Sequence, residues 1–217
     1  MDQREVAVHE ALLGEPLPVE LMNSIHIDRE VEIYDLVGDE TRAAGWVGAI
    51  SPRLPPAADG GQESGGTALG EQDVRRLRAL RDALRALAAD VTQAPPQFVA
   101  PSAPSRQNAL ETVNRLSGRS RIWPVLEWPA GGEPTGAFDT SAAHGDYVVS
   151  SLARQASELF SGPQRARLRA CLAPGCDRYF IKDHSRREWC TRACGNRARV
   201  ARHYRRHHGG AARAPRG

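Results

Sequence analysis

Hydrophobic positions recur at helical spacing along much of this chain. From Glu71 to Val91, the residues Val74, Leu77, Leu80, Leu84, Leu87 and Val91 fall at steps of three and four, which predicts a long amphipathic helix. Arg75, Arg76, Arg78, Arg81 and Arg85 cover its other sides. Asp73, Asp82 and the acidity of the region point to a solvated face there rather than to a nucleic-acid contact. A shorter helix, roughly Arg106 to Leu116, carries Leu110, Val113 and Leu116 on one side. A third spans about Ser141 to Ser161, with Val148, Val149, Leu152, Ala156, Leu159 and Phe160 inward and Gly162-Pro163 as its stop. Nearer the start, Asp39 can cap a helix bearing Ala43, Ala44, Trp46, Val47 and Ile50.

Strand signals are weaker. VELMNSIHI and EIYDLVG read as short helices or strands, and RIWPVLEW with the residues after GGEP reads as a hairpin. Trp123, Leu126 and Trp128 are its candidate core or pocket residues. PRLPPAADGGQESGGTALG, about residues 52–70, is rich in Pro, Gly and small polar residues and predicts a flexible loop. The expected body, residues 1–162, is mainly helical with a small sheet, and its stripes suffice for one core.

Charge separates this body from the C-terminal part. Residues 1–162 hold 14 basic and 23 acidic groups, a net of −9, whereas residues 163–217 hold 15 and 3, a net of +12. That split predicts a body that avoids polyanions and a C-terminal part that meets one. Of 29 basic residues, 28 are arginine, the exception being Lys182, so bidentate contacts are available. No transmembrane run appears, and the start, MDQREVAVHE, is polar and acidic, without the pattern of an export signal. A cytoplasmic protein that does not engage a membrane is expected.

All four cysteines lie between Cys171 and Cys194, spaced C-x4-C-x13-C-x3-C. Such spacing fits one structural Zn²⁺ on Cys171, Cys176, Cys190 and Cys194, with disulfides as the competing account. LAPG forms a turn between the first pair. RYFIK has strand character, REWC reads as the returning strand, and a helix comes next. This order resembles a treble-clef zinc finger. The expected fold class is α+β: a mainly helical body with a small sheet, then a treble-clef-like finger at 163–208 and a disordered tail at 209–217.

The final helix, RACGNRARVARHYRRHH, sorts by face. Cys194, Arg197, Ala198, Ala201 and Tyr204 fall toward the metal. Arg192, Asn196, Arg199, His203 and Arg206 fall on the opposite side. Arginine can read guanine or neutralise phosphate, and asparagine can read adenine. The DNA-contact candidates on this helix are Arg192, Asn196, Arg199, Arg202, His203 and Arg206. Arg197 is expected to bond thiolate sulfur or hairpin carbonyls, and base contact is its alternative. Gly195, poorly placed for a helix, suggests close approach of another surface. His203, His207 and His208 are alternative metal ligands. No Gly-rich phosphate loop, Ser-His-Asp arrangement or open metal site appears, so an enzyme is not expected.

Cys194-Gly195-Asn196-Arg197, preceded by Ser185-Arg186-Arg187 and Trp189-Cys190, resembles the CGNR zinc finger over roughly residues 167–208. Its members typically join the finger to an N-terminal ABATE domain in stress-induced bacterial transcription regulators. Leu21-Met22-Asn23-Ser24 is similar to that domain's early Leu-x-x-Asn-Thr segment, with Ser in place of Thr. Gly45 and Trp46 and the Leu/Arg-rich helix near Leu80 also resemble it. The resemblance implies a DNA-binding finger, which adds Arg186 and Arg187 to the DNA-contact candidates, and a ligand- or signal-sensing body. Asn23, Trp46 and Trp123 are the candidate ligand-pocket residues, and for Asn23 a buried amide that caps or bonds local backbone is the favoured reading. The expected partners are double-stranded DNA, a small-molecule effector and a second copy in a homodimer, since one finger has a small footprint. An RNA-binding or ribosome-associated protein, or a zinc-stabilised protein-interaction module, is the alternative function.

Overall fold

The computed structural model describes residues 12–27, 33–55, 68–140 and 142–208. Most of the expected flexible loop, residues 56–67, and the expected tail, 209–217, lie outside the described residues. Helices and three two-stranded antiparallel sheets make an α+β fold.

Helix α1 (Leu17–Met22) leads into strand β1 (Ile25–Ile27), which pairs with β2 (Ile33–Asp35) in the register Ile25 to Asp35. Helix α2 (Glu40–Ile50) starts where Asp39 accepts the Arg42 N–H at 2.8 Å, as its capping chemistry requires. Helix α3 (Glu71–Thr92) is the longest. It ends at Gln93, whose φ of +51° puts a non-glycine residue in the left-handed region. Helix α4 (Arg106–Ser117) and helix α5 (His144–Ser161) pack against each other, and both pack on α3. Between them, β3 (Ile122–Glu127) and β4 (Thr135–Thr140) form a hairpin.

Val74, Leu77, Leu80, Leu84 and Leu87 enter the core as their spacing predicts, joined by Trp46, Leu152 and Leu159. Two stripe positions do not: Val91, in the last turn of α3, is 39% exposed, and Leu110, at the edge of its apolar arc, is 41% exposed. The hairpin departs further. Trp123, Leu126 and Trp128 are exposed rather than core residues, because β3–β4 is a two-stranded ribbon with little packed over it. Arg81 also departs from a solvated face: it is buried, and it pairs with Asp35 at 2.6 Å and Asp82 at 3.2 Å.

The finger follows α5 through a 3₁₀ turn. Strand β5 (Leu168–Ala170) pairs with β6 (Tyr179–Ile181), and helix α6 (Arg192–His208) closes the chain's described part. Thus the partner of the RYFIK strand precedes the first cysteine, and REWC forms no strand. The body takes the second edge of β6 and leaves REWC nothing to pair with. The Asn23 amide exchanges two hydrogen bonds with Tyr179, and Glu15 accepts from the Ile181 N–H. Leu168, Tyr179 and Ile181 join the body leucines in one core cluster. Body and finger therefore share one core.

Candidate metal centre and nucleic-acid interface

Strand β5 delivers Cys171 at its end. The turn after it is closed by the Cys176 N–H donating to Ala173 O at 3.0 Å, with Gly175 at φ +68°, a conformation that favours glycine. Cys190 ends the loop after β6, and Cys194 sits in the first turn of α6, where its N–H donates to Thr191 Oγ1 at 3.2 Å. All four thiols are buried, and their sulfurs lie within 4.8 Å of one another. Cys176–Cys190 is 3.7 Å and Cys190–Cys194 is 3.4 Å. A tetrahedron with metal–sulfur bonds of about 2.3 Å needs sulfurs about 3.8 Å apart. Disulfide bonding at about 2.05 Å is far shorter, and none of the four is paired that way.

Mutual hydrogen bonding among the crowded thiols holds Cys171 and Cys194 below the ordinary thiol range and pushes Cys176 and Cys190 above it. Four sulfurs this close ionise together only around a cation. The four cysteines thus form a site for one structural zinc, with no position left open for substrate. Arg197 Nη2 donates to Cys194 Sγ at 3.1 Å, so the guanidinium faces the thiolate as the helical periodicity places it. The rings of His203 and His207 lie 4.3 Å apart at a tilt of 40°, and among the described residues the cysteines alone form the metal group there.

The inward face of α6 is shorter than its periodicity suggests. Cys194 and Ala198 are buried, Ala201 is half-buried, and Tyr204 is 62% exposed. The finger's small sheet ends before Tyr204, so the last turns project beyond it. Outward, Arg192, Asn196, Arg199, Arg202, His203 and Arg206 are exposed. Arg186, Arg192, Asn196, Arg199 and Arg202 line one open cleft of about 740 Å³ between the 183–191 loop and α6. Arg199 donates to Asn196 Oδ1, which couples the two side chains. His203 and Arg206 continue the surface along the helix beside Arg199 and Arg202.

Arg187 departs from this set. Its guanidinium pairs with the buried Glu15, donates to Ile181 O at 3.1 Å and Cys190 O at 3.2 Å, and lies 5.2 Å from the Phe180 ring centre. It reaches the cleft as part of the wall, not as an outward cation. Trp189, named in the sequence only as part of the family motif, is a further cleft residue. A Cβ on Gly195 would come within 3.0 Å of the Trp189 ring, so the glycine exists to admit the indole. Glycine at that helix position was the signal that pointed to it.

Among the described residues the three pocket candidates do not gather around a cavity. Asn23 has its amide engaged by Tyr179. Trp46 is packed in the core, and Trp123 is 40% exposed on β3. Glu15 was missed altogether, because its partners lie 166 and 172 residues away. Burial raises its carboxyl above the usual range, against the opposing pull of the Ile181 N–H and Arg187.

Among the described residues no helix is long and apolar enough to cross a membrane. A search of curated proteins finds no match to the chain. Residues 167–207 match the model of the CGNR zinc finger. Residues 15–163 match the model described as ABATE, putative stress-induced transcription regulator. With its larger part covered by that match and the four-cysteine site following it, the chain belongs to the ABATE family and carries a C-terminal CGNR zinc finger.

Proposed function

We propose that this protein is a sequence-reading regulator of bacterial transcription that binds duplex DNA through the cleft and outward face of α6. The single observation that carries the reading is the convergence of Arg186, Arg192, Asn196, Arg199 and Arg202 on one open cleft. Among the described residues, none of the four arginines forms an ion pair with a carboxylate. Arginine and asparagine are the groups that make bidentate contacts with guanine and adenine edges, and unpaired arginines at the rim neutralise phosphates. Zinc fixes the helix; it takes no part in chemistry.

The body supplies the regulatory input in this reading, taking a ligand or signal. Trp46 Nε1 and Ser24 Oγ are buried without a hydrogen-bond partner among the described residues, which supports unused polar capacity there. A zinc–thiolate site suits the reducing cytoplasm.

Selection from a random duplex library with the zinc-loaded full chain tests the reading. An enriched motif, bound more tightly than scrambled duplex and than single- or double-stranded RNA of matching sequence, is the expected result. Equal or tighter binding of RNA would transfer the same surface to the RNA-binding alternative.

A further inference from the structure

The sheet of the finger is completed by side chains of the body. β6 gives one edge to β5. On the other edge Asn23 Nδ2 donates to Tyr179 O at 2.9 Å and Asn23 Oδ1 accepts from Tyr179 N at 2.8 Å. Those are the two bonds that a residue on a neighbouring strand exchanges. Two positions on, Glu15 Oε2 accepts from Ile181 N at 2.9 Å. The other oxygen of the same carboxylate pairs with Arg187.

Arg187 stands between two structures. Behind it is the body carboxylate. Ahead of it are Ile181 O, where the 182–190 loop leaves the strand, and Cys190 O, where the loop reaches the zinc. One guanidinium therefore closes both ends of the loop, and its planar fork of donors suits it to three acceptors at once. The loop holds Arg186 and Trp189, and Trp189 rests on α6 at Gly195. The width of the cleft depends on where this loop sits.

We infer that Glu15, a residue of the body, is a positioning residue for the DNA-reading cleft, acting through Arg187. This rests on the proposal that the cleft binds DNA. The body is then part of the reading unit, and an event that moves the 13–15 strap would reach the cleft through the Glu15–Arg187 ion pair as well as through Leu13, which packs against the cysteine cluster. The strap is held in turn by Glu20, which accepts from Leu13 N at 3.0 Å and Glu15 N at 2.7 Å.

The test uses the zinc-loaded full chain and Glu15→Gln. Glutamine keeps an oxygen for the Ile181 N–H and removes the buried one of the two carboxylates that hold Arg187, leaving the exposed Asp183 at 3.4 Å. Deleting a negative charge by itself tightens binding to a polyanion. The inference expects the opposite: duplex affinity falls about fivefold, as for residues that couple two sites. The salt slope stays unchanged, because no phosphate contact is lost. Zinc transfer to a chelator quickens about tenfold, as when a partner of a ligating residue is removed. Hydrogen exchange rises over residues 183–191 and not over α3 or α5. Arg187→Lys, which keeps the charge but not the fork, shows the same pattern. Wild-type affinity and exchange in Glu15→Gln overturn the inference. So does a rise in exchange spread evenly over the body, which would make Glu15 a general stabiliser. If the wild type itself fails to bind duplex DNA, the reading of the cleft fails, and local exchange alone then decides whether Glu15 positions the loop.

Discussion

Two helices in this protein are rich in arginine, and apart from Arg78 on α3, which is exposed and forms no ion pair among the described residues, they use it in opposite ways. On α3, Arg75 pairs with Glu71, Arg76 with Asp73 and Asp146 at 3.0 and 2.9 Å, and Arg81 with Asp35 and Asp82. Arg85 reaches Asp177 at 3.7 Å and the Met22 carbonyl at 2.9 Å. On α6, none of the arginines forms an ion pair among the described residues. Arg197 faces a thiol, Arg199 an amide, and Arg202 and Arg205 lie near carbonyls of their own helix at 3.4 Å. Counting arginines cannot separate two such helices. Whether a carboxylate stands within reach of each does, because a paired guanidinium has its donors occupied and its charge balanced, whereas an unpaired one keeps both for a partner.

The strongest way to break the contrast is to remove the metal. Cys176→Ser, or exhaustive chelation, takes away binding energy on the order of 10 kcal/mol that structural zinc sites carry. α6 should lose its protection from hydrogen exchange and all DNA affinity should vanish, while α3 keeps its protection. Full zinc content and an unchanged α6 in Cys176→Ser would refute the ligand set. Next in size is Arg81→Ala, which leaves the partly buried Asp35 without its partner and should cost about 3 kcal/mol in denaturant unfolding. DNA affinity per folded molecule should not change; a selective loss of affinity would mean that α3 also meets the polyanion.

Gly195→Val tests the seam between loop and helix. A branched side chain against the Trp189 ring should cost about 2 kcal/mol by overpacking. A stability equal to wild type would show that the indole has room to move. Smaller again is Arg197→Ala. Loss of its bond to Cys194 should speed zinc transfer to a chelator about tenfold. If zinc retention is normal and only base preference is lost, Arg197 reads DNA instead.

Much of this was legible in the chain. Leucine spacing gave the buried face of α3, the Asp39 cap gave the start of α2, and cysteine spacing gave the metal site. Periodicity even turned Arg197 inward. What could not be read is what depends on distant partners. Nothing local to REWC tells that Asn23 and Glu15 already occupy the edge of β6, so a strand was expected where a loop stands. In Arg186-Arg187 the two neighbours carry the same charge, but one lines the open cleft and the other is tied to Glu15. Tyr204 has the right angle on the helix and lies past the end of the sheet that would bury it. Trp123, Leu126 and Trp128 look like core by composition, and only the isolation of the hairpin leaves them exposed.

The most direct test compares one arginine from each helix, Arg199→Ala and Arg75→Ala, by the salt dependence of duplex binding. Each substitution removes one exposed positive charge. The slope of log affinity against log salt should flatten by about 1 for Arg199→Ala, the signature of one lost phosphate contact, with affinity lower at every salt concentration. Arg75→Ala should superimpose on the wild type in slope and differ little in affinity, because its donors go to Glu71 and Gln72. Equal slopes in all three proteins, or a flatter slope in Arg75→Ala than in Arg199→Ala, would contradict the assignment of DNA reading to α6.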